Sequence, residues 1–162
     1  MAFAESDAEG RVRLKAFQNG LEKLGWSDGR NLQIDARWAG GDPERLRTNA
    51  AQLVSQNPDA IFVSGTTPLL ALRRETRKIP IIFINVADPV ANGLVESLAR
   101  PSGNITGFTN FEYAITGKWL EALKEAAPQV SRVLVIYYAA NAAAPGQLRV
   151  SVCAVADYIL VS

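Results

Sequence analysis

The side chains best placed to do chemistry lie between Pro80 and Asn110. An apolar run, Ile81-Ile82-Phe83-Ile84, leads into Asn85-Val86-Ala87-Asp88-Pro89, and further on comes Arg100-Pro101-Ser102-Gly103-Asn104-Ile105-Thr106-Gly107-Phe108-Thr109-Asn110. This pattern puts small polar side chains at strand ends. In an open α/β sheet that edge is where ligands bind, because the crevice outside the carboxyl ends of the strands exposes backbone groups and helix N-termini. What these residue types offer is recognition rather than bond breaking. Histidine is absent and Cys153 is the only thiol, which excludes an internal disulfide, a Ser-His-Asp or Cys-His site, a histidine-bearing zinc site and a histidine-held haem. Carboxylate or lysine chemistry survives that filter. Yet Asp7, Asp35, Glu44 and Asp59 sit on helix ends or exposed faces and make no acid-base pair. Cys153 reads as a small buried hydrophobe.

Nucleotide chemistry finds no support either. There is no G-x-x-x-x-G-K-S/T and no G-x-G-x-x-G after a strand, and Gly103-Asn104-Ile105-Thr106-Gly107 precedes a strand instead of opening a helix. No cofactor is implied. The charge of +1 is nearly balanced, and Arg45, Arg47, Arg73, Arg74, Arg77 and Lys78 are spread over helix faces, so no nucleic-acid partner is expected. No run approaches the roughly 20 apolar residues of a spanning helix. Residues Met1 to Gly10 have neither the basic start nor the apolar stretch of a signal peptide.

With 162 residues and 48% apolar content the chain is long enough for one real core. Leu14, Phe17, Leu21 and Leu24 line one face of a helix ending at Gly25. Residues Asn31 to Ala39 alternate, with Leu32, Ile34, Ala36 and Trp38 on one side, which predicts a half-buried strand. Asp42-Pro43 caps a second helix carrying Leu46, Ala50, Leu53 and Val54. Asp59 to Ser64 reads as a strand buried on both faces, Thr67-Pro68 opens a helix reaching about Arg77, and Ile81 to Asn85 is the next strand, parallel to the last. A helix over Ala91 to Ala99, a strand over Asn104 to Phe108, a helix bearing Ile115, Trp119, Leu120 and Leu123, and a strand from Arg132 to Tyr138 follow. This alternation predicts a doubly wound parallel sheet with helices on both faces. Val150 to Ser162 shows no helix-period polar face.

Taken in order, Gly20-Leu21 with Leu24-Gly25-Trp26, Gly29-Arg30-Asn31, Arg37-Trp38-Ala39, Ser64-Gly65-Thr66, Pro80-Ile81, Asp88-Pro89-Val90, Ser97-Leu98-Ala99-Arg100-Pro101, Gly103 to Gly107 and Gly117-Lys118-Trp119-Leu120 form a pattern. It resembles the ABC-transporter substrate-binding protein family related to tryptophan- and tyrosine-binding proteins, over about Phe3 to Leu148. The resemblance implies a type I periplasmic-binding-protein fold whose two lobes close on a small ligand, an amino acid or related compound, and deliver it to a membrane permease. It implies no catalysis and a periplasmic location. Ser64, Gly65, Thr66 and Thr67 match one wall of the family's cleft, where hydroxyls and free N–H groups at a helix N-terminus suit a carboxylate. Ala87, Asp88 and Pro89 match the next wall. Asp88 is suited both to pairing with a ligand ammonium and to capping the turn before Pro89. Thr109 and Asn110 lie where the family's chain first crosses between lobes, so a hinge role and a ligand role both stand. Tyr137 and Tyr138 end a strand at the start of the second lobe, with Tyr137 the candidate facing the cleft. Trp38 and Trp119 are assigned to core packing rather than to ligand stacking.

Two departures from the family carry expectations. The family's first strand, central in its sheet, has no counterpart here, and beyond Val150 the similarity ends. The expectation is a fragment: residues 1–109 an incomplete first lobe, residues 110–162 the hinge crossing and the start of a second, with impaired binding and a tail in which Tyr158-Ile159-Leu160-Val161 can act as a replacement strand. The rival readings are a doubly wound enzyme or nucleotide-binding domain, and a response-regulator-like interaction module, which lacks the acidic cluster that would hold magnesium.

Overall fold

Two helices open on aspartate caps. Asp7 accepts from the N–H groups of Glu9 (2.9 Å) and Gly10 (3.4 Å) to start α1 (Ala8–Lys23), and Asp42 accepts from Glu44 (2.9 Å) and Arg45 (3.2 Å) to start α2 (Pro43–Ser55). Each cap satisfies donors that the first helical turn leaves without partners. The computed structural model of the chain describes residues 6–101, 103–134, 141–154 and 159–161. After α2 come β1 (Ile61–Ser64), α3 (Thr66–Glu75), β2 (Ile81–Ala87) and β3 (Ile105–Phe111). The three strands form a parallel sheet in the order β1-β2-β3, with Ile61 opposite Ile81 and Ile81 opposite Ile105. The chain then makes α4 (Ala114–Ala126), β4 (Arg132–Leu134), α5 (Ala144–Ala154) and β5 (Ile159–Val161), with β4 and β5 paired in parallel as a second sheet.

Period-two alternation sends Ile61, Val63, Ile81, Phe83 and Ile105 to one face of the first sheet, where they form one cluster with Ala50 of α2 and Leu69 and Leu72 of α3. Phe83, Leu69, Ile81 and Val86 are fully buried, each contributing about 1.5–3 kcal/mol by removal from water. The opposite face is thinly covered. Phe17 of α1 stacks on Phe62 at 4.4 Å, while Phe62 and Ile82 each stay 38% exposed and Phe108 75%. Helices thus lie on both faces, very unequally.

Four sequence expectations need correction or relocation. Residues 31–39 keep the expected alternation, with Leu32, Ile34, Ala36 and Trp38 half-buried and Gln33 and Asp35 exposed, but they join no ladder. A strand needs a neighbour, and this segment has only a bridge between Asp28 and Leu32. Side chains replace the ladder: Asp28 accepts from the Ile34 N–H (2.9 Å), and the Trp38 carbonyl accepts from Asn49 (3.2 Å) and Arg45 (3.4 Å). The expected helix over residues 91–99 is a chain of turns. Gly93 at φ 61° breaks helical geometry, and Leu94 and Val95 both donate back to the Pro89 carbonyl. Trp119 is no core residue, being 57% exposed on α4 with its ring 5.4 Å from Phe111. Lastly, α5 continues through Ala154 despite lacking a polar stripe, and the tail strand pairs with β4 and not with the first sheet. Tyr137 and Tyr138 lie outside the described residues.

Candidate functional site

At the carboxyl edge of the first sheet the regular ladder gives way. Asn85 and Asp88 adopt positive φ (53° and 37°), a conformation that Asn and Asp tolerate better than other side chains. The register between β2 and β3 shifts on both sides of Val86. Three hydroxyl or amide side chains then stitch the strand ends together. Buried Thr66 accepts from the Ala87 N–H at 3.2 Å, the Thr109 hydroxyl donates to the Val86 carbonyl at 2.8 Å, and the Asn85 amide donates to the Ser64 hydroxyl at 3.3 Å.

Asp88 anchors the next turn. One carboxylate oxygen accepts from the Ala91 N–H and the other from the Tyr113 N–H, both at 3.0 Å, and its own N–H donates to the Phe111 carbonyl at 2.8 Å. Both oxygens therefore serve the capping role that the sequence left open. Asn92 completes the turn by directing its amide at the Ala87 carbonyl (2.8 Å) and the Tyr113 hydroxyl (2.7 Å). Neither Asn92 nor Tyr113 was foreseen. The only sequence signal for Asn92 is its place just after Asp88-Pro89, and Tyr113 carries none beyond its position past Asn110. Tyr113, 4% exposed, packs with Ala87, Ala143 and Phe111. It lies so close to α5 that a Cβ at Gly146 would sit 2.2 Å from its ring.

The structure therefore brings Ser64, Gly65, Thr66, Thr67, Ala87, Asp88, Pro89, Thr109 and Asn110 to one edge. Ser64, Thr66, Ala87 and Pro89 are buried in the stitching, Gly65, Thr67, Asp88 and Thr109 are half-buried, and Asn110 is exposed. Thr67 also reaches the later part of the chain, its hydroxyl accepting from the Ala142 N–H at 3.3 Å. The start of α3 differs from those of α1 and α2. Its cap is Gly65 at φ 102°, which brings no capping side chain. Pro68 has no N–H, and the first intrahelical bond runs from the Leu69 N–H to the Gly65 carbonyl. The N–H groups of Thr66 and Thr67 consequently have no hydrogen-bond partner among the described residues. No cluster of three or more potential metal ligands occurs among the described residues.

Comparison with known proteins gives this edge its context. The sequence pattern of the ABC transporter substrate binding protein family matches residues 1–157. The chain belongs to the ABC transporter substrate-binding protein family. Its relatives include a tyrosine-binding protein of Clostridioides difficile, 37% identical over 123 residues, which are 76% of this chain and 35% of that protein. Among solved structures, a conserved domain protein from Vibrio cholerae superposes with a TM-score of 0.78 at 32% identity. The ABC domain in complex with L-Trp from Streptococcus pneumoniae superposes with a TM-score of 0.75 at 26% identity. Each match covers 91% of this chain and 50% of the other. This substrate-binding protein thus spans about half the length of the solved relatives, with the periplasmic-binding-protein-like α/β fold that the sequence led us to expect. Its family is a non-enzymatic transport component, typically found outside the cytoplasm. Among the described residues no helix is long and apolar enough to cross a membrane.

Proposed function

We propose that this chain supplies one wall of an amino-acid-binding cleft in an ABC uptake system of the periplasm. The ligand carboxylate sits over the N-terminus of α3, held by the N–H groups of Thr66 and Thr67. Its ammonium turns toward Asp88, whose oxygens each keep accepting capacity beyond one backbone bond, and Asn110 lines the rim. The observation that carries this reading is the bare start of α3. Helices α1 and α2 have their first donors covered by aspartate, whereas α3, which begins at the carboxyl edge of the sheet, is capped by a glycine; α4 begins at that edge too and has no side-chain cap, but its Ile115 and Thr116 N–H groups bond to the Glu112 and Tyr113 carbonyls. Uncovered N–H groups and the positive end of the helix dipole suit a carboxylate without a cationic side chain. The tyrosine-binding relative and the L-Trp complex support an aromatic amino acid as the ligand. The acceptor of the bound ligand is an ABC permease in the membrane. Binding by the 162-residue chain itself is weak, because closing a second wall over the ligand would add contacts that one wall lacks.

The experiment is a two-dimensional NMR titration of the labelled chain with L-tyrosine, L-tryptophan and tyramine, which lacks the carboxylate. L-Tyrosine or L-tryptophan should move the amide signals of Thr66 and Thr67 while tyramine leaves them in place. Equal shifts with tyramine, or none with either amino acid at millimolar concentration, would remove the carboxylate site.

A further inference from the structure

The cations of this chain divide by whether a neighbour engages them. Arg13, Arg37 and Arg47 pair with Glu9, Asp35 and Glu44, while Arg30 donates to the Gly25 carbonyl and Arg45 to the Trp38 carbonyl. Arg73, Arg74, Arg77 and Lys78, four cations in six residues, have neither an ion pair nor a side-chain hydrogen bond among the described residues. Arg73 and Arg74 stand in the last turn of α3, where cations complement the helix dipole. Arg77 and Lys78 lie past the helix and are exposed, so the dipole does not account for them.

Topology sets where this cluster lies. Helix α3 ends where the chain turns into β2, at the amino edge of the first sheet, and the Asn104 amide, donating to the Ile79 carbonyl at 2.7 Å, brings the approach to β3 with exposed Arg100 to the same edge. Asp59 and Glu75, the acids beside them, do not cancel these five cations. The turn after α1 arrives at this edge too. Asp35 meets the Gln56 side chain at the end of α2, while the Trp38 carbonyl meets Arg45 and Asn49 in its first half. Residues 31–39 thus run against α2, and the turn before them lies past the end of that helix, where β1 begins. Asn31 ties the turn by accepting from the Ser27 N–H (2.8 Å) and donating to the Gly25 carbonyl (3.0 Å), and Asp28 accepts from the Ile34 N–H. Leu24 and Trp26 are left 76% and 49% exposed on it. Its charges, Glu22, Lys23, Asp28 and Arg30, balance, so what it adds to the edge is apolar surface.

We propose that the amino edge of the first sheet is a docking surface for an anionic lipid bilayer. The cations of residues 73–78 and Arg100 meet headgroup phosphates, to which an arginine fork donates two hydrogen bonds at once. Trp26 and Leu24 enter the headgroup layer, where an indole keeps its ring in apolar surroundings and its N–H in wet ones. The combination decides between partners. A soluble polyanion matches the cations but offers no apolar layer to cover Leu24 and Trp26, and an apolar protein patch would bury the cations without counter-charge. The edge that carries the carboxylate site lies at the other end of the strands, so a docked chain keeps that edge turned toward the solution.

The test is co-sedimentation of the chain at about 0.1 M salt with vesicles of phosphatidylglycerol and phosphatidylcholine in equal parts, and with vesicles of phosphatidylcholine alone. The chain should pellet with the anionic vesicles and stay in solution with the neutral ones. Arg77→Gln with Lys78→Gln should lower the partition coefficient about twentyfold, roughly fivefold for each cation beside an anionic surface. Lys15→Gln with Lys118→Gln, the same change of net charge on exposed positions of α1 and α4, should lower it less than about twofold. Tryptophan emission should shift to the blue on the anionic vesicles, and Trp26→Phe should remove that shift. Pelleting no better with anionic than with neutral vesicles, equal losses in the two double variants, or a blue shift that survives Trp26→Phe would overturn the proposal. So would a polyglutamate peptide that binds the chain more tightly than the vesicles do and loses its hold in the Arg77→Gln, Lys78→Gln variant, which would make an acidic protein segment the partner.

Discussion

The lower and upper halves of the first sheet are built from the same three strands by different means. From Ile81 to Ile84 the ladder is regular, the register holds against both neighbours, and cohesion comes from apolar side chains such as Ile61, Ile81, Phe83 and Ile105. Above Ile84 the register slips twice, two non-glycine residues turn to positive φ, and hydroxyls of Thr66 and Thr109 take over backbone groups that the ladder no longer serves. On the proposed function, cohesion and recognition are thus separated along the strands. The regular half fixes the strand spacing, and the irregular half gathers small polar side chains at the strand ends, most of them engaged in stitching, beside the unpartnered N–H groups at the start of α3.

The contrast predicts that faults in the lower half unfold the chain while faults in the upper half loosen the site. Gly107 faces Phe83 across the ladder so closely that a Cβ there would lie 2.0 Å from the Phe83 carbonyl oxygen and 2.7 Å from its N and its Cγ. Backbone atoms of a fully buried residue have nowhere to go. Gly107→Ala should cost about 4 kcal/mol or more, among the largest single-substitution effects, and abolish or sharply lower the thermal transition. An unchanged transition would mean that β2 and β3 are not held as tightly as the regular ladder implies.

Thr66→Val tests the upper half. The change keeps shape but removes the hydroxyl that accepts from the buried Ala87 N–H, leaving that donor without its partner at a cost of about 1–3 kcal/mol. Thr66→Ser should recover most of the loss. The valine variant should still unfold cooperatively in urea, at a lower midpoint with an unchanged slope. Full stability in Thr66→Val would show that the strand ends are not stitched by side chains, and the comparison of halves would fail.

The same division explains what could be read in the sequence. Strands β1 and β2, helix α1 and helix α2 with its Asp42-Pro43 cap follow from local pattern, because apolar runs and Asp-Pro caps act within a few residues, and the family resemblance picks out Ser64 to Thr67 and Ala87 to Pro89 at the strand ends so placed. Failures came where the outcome depends on distant partners. Residues 31–39 have the alternation of a strand, yet alternation specifies only which side is buried, not whether a ladder exists. Residues 91–99 read as helix in the sequence but form turns, where Asn92 bonds carbonyls at Ala87 and Asp88 and the hydroxyl of Tyr113, and no local rule anticipates such a knot. Trp119 reads as core from its place on the stripe Ile115, Trp119, Leu120 and Leu123, but amphipathic spacing says nothing about whether a partner surface is present. Ile115, Trp119 and Leu123, at 41%, 57% and 38% exposed, are largely uncovered among the described residues, and only Leu120 is half-buried.

The smallest effect should come from residues 31–39, which belong to neither half of the ladder. Arg37 donates to Asp35 at 2.8 Å and holds its carboxyl below the ordinary value of 3.8; Gln56 adds to this and slight burial opposes it. A carboxylate whose folded pKa is depressed contributes stability that is present above the unfolded pKa and is lost as pH falls through the folded one. The gap between the chain and Asp35→Asn should therefore be constant from neutral pH down to about 4 and close below that. It should be small, because both side chains are 35% exposed, and it should shrink further in salt. Urea midpoints of the two proteins at about pH 7 and about pH 2.5 decide the matter. A gap that persists in acid would show that Asp35 holds this segment by shape and neutral hydrogen bonding to Gln56, in the manner of the stitched strand ends, and that its charge is incidental.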